Sequence, residues 1–121
     1  MRKQSYGRII NTSSVAGLYG SEGLVDYSTA KSGLNGFTQS LAIEGSKRNI
    51  YTNSICPMAD TRMLRMTKFK GKELDFVPAS LVVPMVAVLC HESCKANGGI
   101  FEAGGGFCAK IRWQRAEVWI D

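Results

Sequence analysis

GRIINTSSVAG, which occupies residues 7–17, is the stretch that decides the fold class of this 121-residue chain. Residues 8–13 are rich in β-branched side chains and end in small polar ones, a pattern typical of a strand that runs into a loop. A helical pattern follows over residues 27–44, and residues 50–55 then alternate as a second strand, closed by Pro57. A strand, a helix and a strand in this order predict a parallel sheet with a right-handed crossover.

The helix predicted over residues 27–44 carries an apolar stripe and two glycines. Its larger apolar side chains recur at steps of three and four, which places them on one face: Tyr27, Ala30, Leu34, Phe37 and Leu41. Gly33 and Gly36 each weaken a helix by about 1 kcal/mol relative to alanine. We therefore expect another backbone to pack closely against this helix at the two glycines.

Beyond the second strand the pattern is less regular. Residues 58–77 show no period and predict a loop with one helical turn. Pro84 suits the first turn of a second helix, which is apolar nearly all round and is therefore expected to be buried. Residues 100–102 predict a last short strand before the glycines at 104–106, and residues 110–121 fit either a strand or irregular structure.

Composition and charge exclude several classes of protein. The chain is 45% hydrophobic and 21% charged, ordinary for one domain or a large piece of one, and no apolar run approaches the roughly 20 residues that span a membrane. No signal-peptide pattern is visible, so we expect an intracellular, reducing compartment and free thiols. The net charge of +5 comes mainly from residues 62–72 and 110–115. No nucleic-acid module surrounds them, which favours a solvated loop or contacts to an anionic substrate.

Residues 90–94 (CHESC) raise the question of a metal site. Zinc sites usually combine four closely paired ligands, and the sequence offers no second Cys/His pair. No metal is therefore expected.

Tyr27-Ser28-Thr29-Ala30-Lys31 carries the chemistry that the sequence suggests. Residues four apart share a helix face, so the Lys31 ammonium is expected near the Tyr27 hydroxyl. A phenol ordinarily ionises near pH 10, and a neighbouring cation favours the phenolate. Such a pair suits general acid/base work on an alcohol or a carbonyl, with Ser14 placed to hold the carbonyl oxygen by a hydrogen bond. Taken without context, Tyr27 as an aromatic at the edge of the core and Lys31 as a solvated charge is the alternative.

Three linked motifs supply that context, because their order and spacing resemble the short-chain dehydrogenase/reductase family: residues 7–17, residues 27–31 (YSTAK) and residues 53–57 (NSICP). The resemblance implies an α/β fold, a partial Rossmann-like doubly wound parallel sheet that lacks the N-terminal dinucleotide-binding strands. Residues 1–121 are accordingly expected to be the C-terminal portion of a single domain. Ser14, Tyr27 and Lys31 take the positions of the family's catalytic serine, tyrosine and lysine.

The resemblance also implies NAD as the cofactor, with NADP as the alternative. In that family the lysine hydrogen-bonds the nicotinamide ribose, so Tyr27 and Lys31 are expected to contact the cofactor as well. The segment that ends at Pro57 would line the nicotinamide, with Ile55 near its carboxamide. Thr61 is the candidate for the next cofactor contact.

The sequence departs from the family pattern in several places. The Gly-rich phosphate-binding turn, the acidic ribose-binding residue and the catalytic asparagine are absent, and Met58 stands where most members have glycine. A closer likeness, carried by residues 6–14, 40–45, 89–94 and 110–113, is to the peroxisomal branch that oxidises (3R)-3-hydroxyacyl-CoA. It implies an acyl-CoA-like substrate, a homodimer through the helix from Tyr27 to Glu44, and a peroxisomal location, although residues 119–121 are not a Ser-Lys-Leu address.

Two functions follow from these observations. The first is an NAD-dependent oxidoreductase, and the alternative is a truncated, inactive remnant that acts as a dimerisation or binding module. Neither a nucleic acid nor a membrane is expected as a partner. Self-association without cofactor binding would distinguish the remnant from the enzyme.

Overall fold

The computed structural model describes residues 1–66 and 77–117, whose strands form one sheet. The strands are β1 (Gly7–Thr12), β2 (Ile50–Met58), β3 (Ile100–Gly104) and β4 (Phe107–Ile111). The α-helices are α1 (Ala16–Tyr19), α2 (Val25–Gly45), α3 (Arg62–Arg65) and α4 (Val83–Cys90). Short 3-10 turns at Ser46–Arg48 and Ala79–Val82 lead towards β2 and α4.

The sheet runs in the order β1-β2-β3-β4, and its first three strands are parallel. This confirms the predicted parallel sheet. The last pair between β1 and β2 is Thr12 with Ile55. β2 continues past the predicted end through Pro57 to Met58. Proline is tolerated there because Pro57 lies beyond the end of β1, on the side where its missing N–H has no ladder partner.

The fourth strand is a correction to the predicted three-strand pattern. β4 pairs antiparallel with β3, and a two-residue turn at Gly105 and Gly106 joins them. Both glycines have positive φ, 56° and 82°, which is the requirement of the tight hairpin turns that match strand twist. The glycine run therefore closes a hairpin. Within residues 110–121, positions 110 and 111 belong to β4, residues 112–117 are irregular and the last four lie outside the described residues.

Helices cover both faces of the sheet, as a doubly wound fold requires. On one face Leu89 of α4 packs with Ile55 and Phe101 in the buried apolar cluster. On the other face α2 crosses β2, where the Ser54 hydroxyl lies 3.2 Å from Oδ1 of Asn35. Successive strand residues point to opposite faces, so α2 and α4 sandwich the sheet.

The surface that α2 turns to the sheet is not its apolar stripe. The buried residues of the helix are Asn35, Thr38 and Ala42, whereas Phe37 is 53% exposed. The reason lies in the opposing strands, which present polar groups at this face: Asn11 Nδ2 donates to Thr38 Oγ1 at 2.9 Å. Hydrogen bonding therefore decides which side of α2 is buried.

The prediction that α4 is buried on all sides is wrong. Leu89 is 1% exposed, but Val83 and Val88 are 60% and 57% exposed. One face of α4 contacts the sheet, and within residues 1–66 and 77–117 its opposite face remains open. No helix in this described part of the chain is long and apolar enough to cross a membrane.

The predicted helical turn after β2 is confirmed as α3, which begins after Thr61. The rest of that predicted loop, residues 67–76, lies outside the described residues, as do the lysines it contains.

Candidate active site

Tyr27, Lys31 and the end of β1 meet at the carboxyl edge of the parallel strands. The Lys31 Nζ donates a hydrogen bond of 2.8 Å to the carbonyl oxygen of Thr12, the last residue of β1. The same Nζ lies 5.6 Å from the centroid of the Tyr27 ring. The structure thus places the tyrosine and the lysine on one side of α2, one turn apart, as the spacing predicts.

Tyr27 remains accessible at this edge. Its side chain is 38% exposed, and it lies in the first turns of α2, which begins at Val25. The Tyr27 ring is therefore open to solvent while its centroid stays 5.6 Å from the Lys31 Nζ.

Ser14 lies between β1, which ends at Thr12, and α1, which begins at Ala16. Its Oγ accepts a hydrogen bond of 3.2 Å from the backbone N–H of Ala16. A hydroxyl that accepts one hydrogen bond still has its own hydrogen to donate. Ser14 is therefore placed at the same sheet edge as Lys31 with a donor free for a carbonyl or alcohol oxygen.

Ser13, which the motif analysis left without a role, is buried beneath these residues. It is 2% exposed, and its Oγ donates a hydrogen bond of 2.7 Å to the backbone carbonyl of Lys31. Its own backbone N–H donates to the carbonyl of Ile55 at 2.7 Å. The two adjacent serines of the first motif thus serve different partners, a distinction that residue type alone does not reveal.

Gly17 lets α1 approach α2 at the same place. A Cβ on Gly17 would lie 2.7 Å from the Lys31 carbonyl carbon and 2.8 Å from the Ser32 nitrogen. Such distances are too short for carbon, so only glycine permits this packing. The small residues around Ser14 were the one sequence signal that could have indicated close approach here.

Cys56 lies under the site on the α2 side of the sheet and is 1% exposed. Burial raises the pKa of its thiol, and a hydrogen bond with Ser13 opposes that shift. The charge of Glu102 raises the thiol pKa further, whereas the charge of Lys31 lowers it. The thiol is therefore a protonated, apolar filler beneath Ser13 and not a nucleophile.

The candidate cofactor residues divide into two groups. Ile55 is 5% exposed and its side chain packs with Leu89 and Phe101, on the face away from α2. Its side chain is thus not brought together with Tyr27 and Lys31. Pro57 lies at the carboxyl end of β2 and is partly exposed there.

Thr61 is exposed at the start of α3, where its Oγ1 accepts from the backbone N–H of Leu64 at 3.2 Å. The preceding Asp60 pairs with Arg65 across the helix turn. The hydrogen bond from Arg65 holds the pKa of the Asp60 carboxyl below its ordinary value. This ion pair and the Thr61 cap fix the backbone that presents the threonine hydroxyl.

Among the described residues no group of three His, Cys, Asp or Glu side chains is arranged to hold a metal ion. In the CHESC segment the His91 Nδ1 lies 2.7 Å from the Ser93 Oγ. The two side chains thus form a local contact at the end of α4.

The family model described as short chain dehydrogenase matches residues 1–71. The peroxisomal multifunctional enzyme type 2 of Mus musculus is 48% identical over 115 residues, which are 95% of this chain and 16% of that protein. This chain therefore spans about a sixth of that relative.

Two solved structures share the fold. The full-length peroxisomal multifunctional enzyme type 2 from Drosophila melanogaster superposes with a TM-score of 0.86 and 39% identity, covering 99% of this chain and 21% of that one. A short chain dehydrogenase from Mycobacterium avium superposes with a TM-score of 0.76 and 37% identity, covering 95% of this chain and 39% of that one. The described strands and helices therefore form part of a Rossmann-type dehydrogenase fold.

The position of Cys56 beneath the site can be tested by thiol labelling. Under native conditions iodoacetamide is expected to modify the exposed Cys90 much faster than Cys56, because burial keeps the Cys56 thiol both inaccessible and protonated. Timed labelling followed by peptide mass spectrometry measures both rates in one sample, and the same reaction in urea should remove the difference. Equal native rates would contradict the packing described for Ser13 and Cys56.

Proposed function

Because the chain belongs to the short chain dehydrogenase family, we propose that it carries the catalytic residues of an oxidoreductase that transfers hydride between NAD and a 3-hydroxyacyl-CoA-like alcohol or ketone. The observation that supports this most strongly is the placement of the Lys31 Nζ, bonded to Thr12 at 2.8 Å and lying 5.6 Å from the Tyr27 ring. A cation held beside an accessible phenol suits proton transfer to or from a substrate oxygen.

In the proposed reaction Tyr27 is the general base for alcohol oxidation and the general acid for ketone reduction. Its phenolate accepts the hydroxyl proton of the alcohol as the carbonyl forms, and the reverse direction returns that proton. Lys31 stabilises the phenolate electrostatically, and Ser14 donates a hydrogen bond to the substrate oxygen, where charge changes during the reaction. NAD, when bound, supplies the hydride acceptor.

The residues at the sheet edge fit the nicotinamide end of such a cofactor. The Lys31 ammonium has three N–H donors and uses one on Thr12, which leaves donors for a ribose hydroxyl. Pro57 and Thr61 stand at the carboxyl end of β2 and just beyond it, where parallel α/β sheets bind nucleotides. No residue described here forms a Gly-rich turn into a helix for the pyrophosphate, so these contacts extend to the nicotinamide and its ribose only.

The substrate class and the location rest on resemblance. Curated relatives are named peroxisomal multifunctional enzyme and peroxisomal hydratase-dehydrogenase-epimerase, and the sequence likeness to the (3R)-hydroxyacyl-CoA branch points the same way. We therefore assign an acyl-CoA-like substrate and a peroxisomal location to this proposal. NAD is favoured over NADP on the same ground.

Residues 1–121 are proposed to be the C-terminal portion of a single dehydrogenase domain. β1 is an edge of the described sheet, and its outer side pairs with no strand among the residues described. The chain covers 39% of the Mycobacterium avium dehydrogenase. Additional strands along β1 would complete the nucleotide-binding half that this proposal requires.

The proton-transfer role of Tyr27 predicts the effect of Tyr27→Phe in the full-length gene product. Because only the hydroxyl is removed, folding should be retained, while steady-state oxidation of a 3-hydroxyacyl-CoA should slow by roughly 100-fold or more. Tyr51→Phe is the matched control, since Tyr51 stacks on Arg8 at the opposite end of the sheet. A Tyr27→Phe rate within about tenfold of the parent, about 1.4 kcal/mol in the barrier, would sink the assignment.

Self-association through α2 is the second part of the proposal. Within the described residues, a Cβ added to Gly33 or Gly36 would meet nothing within 4 Å. The close backbone approach that the two glycines predict is therefore not made by any described residue of this chain. Phe37 and Ile43 lie on the same outer side and are 53% and 77% exposed, so this face of α2 offers a close-packing surface to a second copy.

Gly36→Leu tests that surface. In the monomer the leucine enters open space and favours the helix by roughly 1 kcal/mol, so circular dichroism should be unchanged or improved. In a dimer packed at Gly36 the side chain would hold the helices apart, and sedimentation velocity should show loss of the discrete dimer.

Glu92→Leu serves as the control, because it adds the same side chain on an exposed residue just after α4, on the other face of the sheet. A dimer that survives Gly36→Leu would exclude the interface. A broad distribution of large species in the parent would instead indicate pairing through the open edge of β1.

A further inference from the structure

We infer that Ser13 is a positioning residue for the proposed reaction, which holds the Lys31 turn of α2 against the end of β1. The inference rests on the proposed function, since it assigns Ser13 a role through Lys31 and Tyr27. Ser13 is 2% exposed, so its side chain is not open to a substrate. Its influence on the reaction must therefore pass through the residues that it contacts.

Ser13 joins three elements of the fold. Its N–H donates to the Ile55 carbonyl at 2.7 Å, which anchors the residue to β2. Its Oγ donates to the Lys31 carbonyl at 2.7 Å, which anchors α2. The N–H···O bond to Ile55 is shorter than is typical, and the O–H···O bond to Lys31 has a typical length. Because Ser13 is buried, the loss of either bond would leave a polar group unpaired away from water, which is costly. Ser13 therefore ties the end of β1 both to β2 and to the Lys31 turn of α2.

Lys31 is consequently held at two points by two adjacent residues. Ser13 binds its backbone carbonyl, and the carbonyl of Thr12 accepts from its Nζ at 2.8 Å. The hydrogen bond to the carbonyl fixes the position of the Lys31 backbone, and the hydrogen bond from Nζ fixes the position of the ammonium group. With both ends fixed, the ammonium has little freedom to move away from the Tyr27 ring.

Gly17 packs closely against the same turn of α2. An added Cβ there would lie 2.7 Å from the Lys31 carbonyl carbon and 2.8 Å from its Cβ. Because α1 carries Gly17 and begins after Ser14, this contact also sets the position of Ser14 relative to Lys31. Ser13 and Gly17 together would align all three proposed catalytic residues.

A comparable bond elsewhere on α2 separates positioning from simple stability. Asn11 Nδ2 donates to Thr38 Oγ1 at 2.9 Å, which also ties β1 to α2. Thr38 is fully buried and lies two turns beyond Lys31. Thr38→Val removes this bond at nearly constant volume, so it weakens the strand–helix contact without touching the Lys31 turn.

The experiment compares Ser13→Ala, Gly17→Ala and Thr38→Val in the full-length gene product with NAD and a 3-hydroxyacyl-CoA. Ser13→Ala should lower kcat by about tenfold to 100-fold, because small displacements of catalytic groups cost this much, while KM changes little. Thr38→Val should lower the melting temperature similarly but keep the parent's kcat and KM.

Cys56 is a titratable group in contact with Ser13, and the charges of Glu102 and Lys31 act on its thiol. The hydrogen bond between Ser13 and Cys56 lowers the pKa of the thiol, so its removal leaves the thiol more firmly protonated and adds no charge. A loss of kcat in Ser13→Ala is therefore not caused by a new charge beneath the site.

Each outcome decides the inference. A Ser13→Ala variant that matches Thr38→Val in kcat would overturn it. If Ser13→Ala does not fold, Gly17→Ala takes its place, because it displaces the same turn and should give the same loss of kcat; a parent-like kcat would again overturn it. An inactive parent, or an active Tyr27→Phe, would refute the proposed function itself, a pattern distinct from the failure of Ser13 alone.

Discussion

The hydrogen bonds that hold Lys31 at the end of β1 are the contacts on which the rest of the site depends. Parallel pairing of β1 with β2 ends at Thr12 and Ile55, and the crossover helix returns directly above that end. Thr12 and Ser13 then bind the side chain and the backbone of Lys31. Because Tyr27 lies one turn earlier on the same helix, fixing Lys31 fixes the tyrosine as well.

The two sides of α2 serve different purposes for this reason. Its inner side is polar and small, with Asn35 and Thr38 hydrogen-bonded to the strands beneath. Directional bonds of this kind set the height and rotation of the helix more narrowly than apolar packing does. Its outer side keeps the larger apolar residues and the two glycines with open space beside them. One helix therefore suits both the proposed catalytic pair and the proposed contact with a second copy.

Much of this fold could be predicted from the sequence, and the exceptions have physical causes. The period of residues 27–44 and the β-branched strands identified α2 and the parallel pairs, and the spacing of Tyr27 and Lys31 identified their neighbourhood. Periodicity could not show that polar residues would be the buried side of α2, because that depends on the strand surface below it. It also could not show which side of the uniformly apolar α4 meets the sheet. β4 was not predicted because three consecutive glycines are as typical of a loop as of a hairpin turn with positive φ. The contact of Ser13 was not predicted because its partner is a backbone atom.

In the proposed function Tyr27 and Lys31 serve hydride transfer between an acyl-CoA alcohol and NAD. Incubation of the full-length gene product with NAD and a 3-hydroxyacyl-CoA deuterated at the alcohol carbon tests it most directly, with mass spectrometry of the reduced cofactor as the readout. The deuterium is expected to appear on the nicotinamide ring, at a rate that falls sharply in Tyr27→Phe. Reduced cofactor without deuterium, or no reduction by a folded parent protein, would contradict it.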